Sequence, residues 1–129
     1  MTRHESRCTA VCLLFEYSFG GDRNEILKNA VEERGDTVSA FAGSIYNGVI
    51  DNIEDIDRII GNAVEKRGLN RIPRVVLAVL RDAVYEAKIA SEPTPTEIIA
   101  NEAVEICREY GEHELCGFVH GVIGKIING

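Results

Sequence analysis

Long apolar runs are missing from this sequence. The longest, Val75-Val76-Leu77-Ala78-Val79-Leu80, is far short of the roughly 20 residues that span a bilayer. The start, Met1-Thr2-Arg3-His4-Glu5-Ser6-Arg7, is polar and leads into an amphipathic segment, so it does not read as a secretion signal. A cytoplasmic protein without a membrane role is expected. Stretches of period-two alternation are also lacking, and the three prolines all fall at plausible helix starts, which argues against a sheet. An excess of positive charge is absent too. The net charge of −7 excludes indiscriminate binding to nucleic acid, though it leaves room for a small local contact and for a basic protein partner.

Catalytic signatures are equally scarce. There is no phosphate-cradling glycine loop, no GxSxG elbow and no HExxH helix, and the acidic pair Glu32-Glu33 reads as an exposed helix face. Of the three histidines, His4 lies near the chain start, His113 sits among acids and His120 falls on a helix surface. An enzyme is not expected. The four cysteines (Cys8, Cys12, Cys107 and Cys116) form no CxxC pair. His4, Cys8 and Cys12 are spaced four apart, so a helix stacks them on one face. A metal site there would need a further ligand from Cys107 or Cys116. Buried thiols acting as small hydrophobes are the simpler reading, and neither metal nor cofactor is expected.

What is present is helical throughout 129 residues, enough for one domain over 1–129. The first helix is expected over residues 5–18, with Cys8, Val11, Cys12, Phe15 and Phe19 as its buried stripe before Gly20-Gly21 breaks it. A second runs from the cap Asp22, with Glu25 completing a capping box, to Gly35. A third follows Asp36 and buries Val38, Phe41, Ala42, Ile45 and Val49. The fourth, capped near Asn52, carries Ile53, Ile56, Ile59, Ile60, Ala63 and Val64 to Gly68. The fifth, after Pro73, is apolar on every side for more than a turn and belongs in the middle of a bundle. Asp82 beside that run would need a partner if buried. Arg81 points about 100° away around the helix, and Arg108 and Lys88 are the alternatives. Thr94 reads as the cap of a sixth helix, with Pro95 at its first position, Glu97 as its capping-box acid and Gly111 at its end. The last helix spaces Leu115, Phe118, Val119, Val122, Ile123, Ile126 and Ile127 along one face. The expected fold is all-α, a compact bundle of about seven helices.

Positive charge is concentrated locally. Lys66, Arg67, Arg71, Arg74 and Arg81 occur without an intervening acid, a cluster that reads equally as a nucleic-acid contact or a solvated face. Arg3 and Arg7 flank His4 on the first helix.

Three stretches in order resemble the NusB family. Ala100-Asn101-Glu102-Ala103-Val104-Glu105-Ile106 through Tyr110-Gly111, then Phe118-Val119-His120-Gly121-Val122-Ile123, is similar to its C-terminal signature. Residues 78–86, from Ala78 to Glu86, match its Ala-Ile-Leu-Arg-Leu-Ala-hydrophobic-Tyr-Glu pattern. Arg3 through Glu16 resembles its arginine-rich first helix. His120 stands in place of the family's asparagine, and Asp82 in place of an apolar residue. The resemblance implies two helical halves and a factor in transcription antitermination that binds boxA RNA together with NusE, a ribosomal protein. It makes Arg3, His4, Arg7, Phe118 and His120 the RNA-contact candidates, through phosphate contacts and base stacking. Because the fifth helix belongs to the family's NusE region, Arg74, Arg81 and Tyr85 are the partner candidates within a transcription elongation complex. Two other readings compete. One is a helical interaction module with little RNA binding of its own. The other is a regulatory domain of an RNA methyltransferase, disfavoured because no methyl-donor fold follows.

Overall fold

The computed structural model describes residues 1–64 and 68–128, and among these it contains seven α-helices and no strand. Helix α1 spans Arg3–Tyr17, α2 Arg23–Lys28, α3 Ala40–Asp51, α4 Ile53–Val64, α5 Arg74–Val84, α6 Thr96–Glu109 and α7 Cys116–Asn128. None of these is long and apolar enough to cross a membrane. Helices α2 and α5 each widen into a π turn, Asn29–Glu33 and Tyr85–Ile89.

Local chemistry accounts for most of the boundaries. Thr2 accepts the amide of Glu5 while the Glu5 side chain accepts the amide of Thr2, a reciprocal cap that starts α1 two residues before the expected point. Asp22 accepts the amides of Asn24 and Glu25 to start α2, and Ser39 accepts that of Ala42 to start α3. Gly35 takes a positive φ of 70° where the α2 segment ends, a conformation open to glycine without strain.

Helix α5 occupies the middle, packing against α1, α3, α4, α6 and α7, with Val76, Leu77, Ala78, Val79 and Leu80 all buried. Its all-round apolar run leaves it no other place. Every helix contributes to one contiguous core. The α1 stripe differs from the expected one. Ala10, Val11, Leu13 and Leu14 are buried, whereas Cys12, Phe15 and Phe19 are exposed. Two stripes share Val11, and the side carrying two leucines buries more aliphatic surface against α3 and α5.

A charged cluster lies inside this apolar frame. Arg7, only 5% exposed, forks onto Glu86 of the α5 π turn, with Nε 2.9 Å from Oε2 and Nη2 2.9 Å from Oε1. Its other Nη is 3.4 Å from Glu102 on α6. Glu86 also accepts the Thr94 hydroxyl at 2.8 Å, and its backbone carbonyl accepts the Thr94 amide at 3.0 Å. Thr94 is therefore not the cap of α6, which begins after Pro95 with no side-chain cap. A buried carboxylate with free lone pairs gains more from the hydroxyl than an exposed helix start does. Asp82 is buried within the same cluster, and its Oδ1 has no hydrogen-bond partner among the described residues. Burial raises the Asp82 pKa well above the ordinary carboxyl value. The charge of Glu86, and a hydrogen bond that protonated Asp82 gives to it, reinforce the rise. Burial works in the same direction on Glu86, but hydrogen bonds from Arg7, Asp82 and Thr94 outweigh it and hold Glu86 low. The partner of Asp82 is thus Glu86, one helical turn on, and not Arg108 or Lys88.

Two outcomes follow from this cluster. Arg7→Ala strands a buried carboxylate and is expected to destabilise the fold by about 3–5 kcal/mol in urea denaturation, with much of the loss recovered by the double change Arg7→Met, Glu86→Leu. Asp82 sets a pH dependence. Between the unfolded carboxyl value of about 3.9 and its raised folded value, the unfolded chain holds fewer protons here than the folded one, so rising pH lowers stability. Asp82→Asn removes that term. Its urea midpoint should gain on the wild type as pH rises above the unfolded carboxyl value, and a difference that stays constant with pH would show Asp82 to be ionised in the fold.

Candidate nucleic-acid interface

The first turns of α1 set out Arg3 and Arg7 on one row and His4 and Cys8 on the next, each pair four residues apart. Arg3 is exposed, and its guanidinium lies 3.9 Å from the centroid of the Phe41 ring on α3. That stack holds a flexible cation in place at the surface while leaving its N–H edges to solvent. Arg7 lies 5.3 Å from the same ring but belongs to the interior. Its donors are taken up by Glu86 and Glu102, so this candidate for a phosphate contact is buried in an ion pair. A phosphate could reach it only by displacing a buried pair.

His4 is also committed. Nδ1 is 2.5 Å from Glu102 Oε2, and Nε2 is 2.6 Å from Glu109 Oε1. The hydrogen bonds to Glu102 and Glu109 raise its pKa, so His4 stays charged to higher pH than a free imidazole. Cys8 turns toward the same group, with Sγ 3.7 Å from His4 Nε2 and 3.4 Å from Glu109 Oε2. Burial, with the nearby Glu109, pushes its thiol up to about 12. Cys12 leaves the expected His4–Cys8–Cys12 row and meets the Tyr110 hydroxyl at 3.0 Å. The third member of the His4 and Cys8 cluster is therefore Glu109. Neither Cys107 nor Cys116 approaches it, since each places its thiol against backbone carbonyls of the α6–α7 connection.

On α7, His120 is exposed, whereas Phe118 is half-buried and packs against the core. Two helical steps turn a side chain through about 200°, so the two project from nearly opposite sides of α7 and cannot grip one base together.

The partner candidates also differ among themselves. Arg81 is held by Asp57, with Nε and Nη2 at 3.0 and 2.9 Å from its two oxygens. Tyr85 packs so closely on α3 that a Cβ at Gly48 would overlap its ring. Arg74 is exposed, lies 4.5 Å from the Phe19 ring centroid and donates to the Ser18 carbonyl. Phe19 meets Phe15 edge-on at 5.1 Å, and both are exposed. The 3-and-4 spacing puts both rings on the expected core stripe of α1, whereas the structure exposes them as an aromatic and cationic patch at the helix end. Lys66 and Arg67 of the basic cluster lie outside the described residues. Arg71 is exposed, and Arg74 and Arg81 line one cleft with Tyr17, Ser18 and Leu77, although each has its own neighbours.

Comparison with known proteins agrees with this architecture. Residues 4–128 match the NusB family. The transcription antitermination protein NusB of Clostridium novyi is 36% identical over 98% of both chains. That of Lysinibacillus sphaericus is 35% identical over 97% of this chain and 96% of its own. Among solved structures, T. maritima NusB superposes with a TM-score of 0.84 at 29% identity, covering 99% of this chain and 92% of that one. A structure of the antitermination factors NusB and NusE in complex with double-stranded RNA gives 0.81 at 25% identity, covering 99% and 98%. Matched from end to end in sequence and in helix arrangement, the chain belongs to the NusB family.

Proposed function

We propose that this protein is a transcription antitermination factor that binds boxA-type single-stranded RNA together with the ribosomal protein NusE. It acts by binding and carries out no chemical step. Its place is the cytoplasm, in the elongating transcription complex. The match to NusB proteins over nearly the whole chain carries this reading, and the solved complex of NusB and NusE with double-stranded RNA supports a joint RNA-binding role, though not the choice of single strand.

The geometry supports an RNA face of fewer residues than the family pattern implies. Arg3, held over Phe41, is the phosphate-contacting cation, and exposed His120 supplies a hydrogen bond or a stacking plane. Phe118 offers the edge of a half-buried ring. His4 contributes through its position beside Arg3, and Arg7 through the fold. Of the three partner candidates, Arg74 with the adjoining Phe19 is the one presented to a second protein. The burial of Arg7 also favours a second reading, an interaction module whose RNA contacts come mostly from NusE.

A titration of boxA RNA with and without NusE separates the two, with duplex RNA of the same sequence as control. The expected outcome is weak binding alone, tighter binding with NusE, and a preference for the single strand. Arg3→Ala should lower affinity for all RNA sequences alike and reduce the slope of log K against log salt by about 0.7. His120→Ala should weaken binding with the melting temperature unchanged, and Phe118→Leu should cost about 1–3 kcal/mol of binding if a base rests on its ring. A ternary complex indifferent to Arg3 and His120 would place RNA recognition on NusE.

A further inference from the structure

The ion pair of His4 with two glutamates leaves one observation unexplained. The Cys8 thiol faces the same point as His4 Nε2 and Glu109, although a histidine between two carboxylates needs no sulfur. The three donor atoms all lie within 4.8 Å of one another. With Zn–S of about 2.3 Å and Zn–N of about 2.0 Å, the edges of a tetrahedral site are about 3.5 Å. The Sγ–Nε2 separation of 3.7 Å and the Sγ–Oε2 separation of 3.4 Å already have that length. The Nε2–Oε1 hydrogen bond of 2.6 Å goes to the other carboxylate oxygen, and a rotation of the half-exposed Glu109 side chain releases it.

The surroundings fit as well. His4 Nδ1 is bonded to Glu102, the carboxylate–histidine arrangement that fixes the ring and raises the basicity of the ligating nitrogen. Glu102 is itself held by Arg7, so the orientation of the ring is anchored in the interior. The Tyr110 hydroxyl donates to the Cys8 carbonyl at 3.3 Å and closes one side. His4 and Cys8 are each only half-buried and Glu109 is exposed, so the cluster stands open to solvent.

We propose that His4, Cys8 and Glu109 form a zinc site with an open fourth position filled by water, clasping the start of α1 to the end of α6. Thiolate, imidazole and carboxylate together select a borderline cation and not magnesium or calcium. Binding exchanges the Cys8 thiol proton and the His4 Nε2 proton for the metal. Glu102 is the positioning residue.

The test uses the full reduced chain, stripped with chelator and titrated with Zn2+ and, as a spectroscopic probe, Co2+. One equivalent should bind. The Co2+ form should show a thiolate-to-metal charge-transfer band and the intense visible bands of tetrahedral coordination. Cys8→Ser should abolish the charge-transfer band, and Glu102→Gln should weaken Zn2+ binding by about tenfold. Cys107→Ser, which removes a thiol elsewhere, should leave both unchanged. Thermal melting of each metal-free variant checks that it is folded. Absence of saturable binding, or a charge-transfer band that survives Cys8→Ser, would overturn the site. RNA plays no part in these readouts, so the outcome is independent of the antitermination reading.

Discussion

The Arg7 guanidinium is held between Glu86 and Glu102, and the way α1, α5 and α6 meet depends on that ion cluster. An arginine removed from water needs its planar fork matched closely, and Glu86 supplies two oxygens in the right plane. Apolar packing alone would let three helices slide or rotate by fractions of a turn. Misplacing a buried charge carries a penalty that misplacing a leucine does not. The cluster therefore sets register where the core sets only proximity. The wide turn at Tyr85–Ile89 belongs to the same device, since it carries Glu86 where α5 leaves its regular path.

The surface inherits this order. His4 shares Glu102 with Arg7, and Arg3 sits one turn before Arg7 over the ring that Arg7 also approaches. The exposed residues at the start of α1 are thus positioned from inside the protein. In a domain with a formal charge of −7, few cations are available, and holding one rigidly does more for recognition than adding mobile ones.

Much of the architecture was legible in the residues. The all-round apolar run of α5 placed it centrally, and Asp22, Gly35 and the residues flanking Pro73 marked helix ends by local chemistry. The facing of α1 was not legible, because two stripes of similar hydrophobicity run along it and only the neighbours decide between them. Nor could spacing show that Arg7 has its partner 79 residues away, or that Thr94 serves that partner instead of its own helix. An arginine on an amphipathic helix looks the same in sequence whether it meets phosphate or glutamate. The convergence of Glu109 on His4 and Cys8 joins two helices more than a hundred residues apart in the chain, a distance at which periodicity carries no information.

The raised pKa of Asp82 changes how the molecule appears to anything outside it. A count of ionisable residues treats this carboxyl as one more negative charge and His4 as neutral, yet the fold shifts both toward their protonated forms. The native protein therefore presents a weaker negative field than its composition suggests, and the unfolded chain a stronger one. Long-range repulsion toward a polyanion is thus relaxed by folding itself. Two protonation equilibria shifted by the fold produce this effect, one of them buried where no ion in solution can reach it.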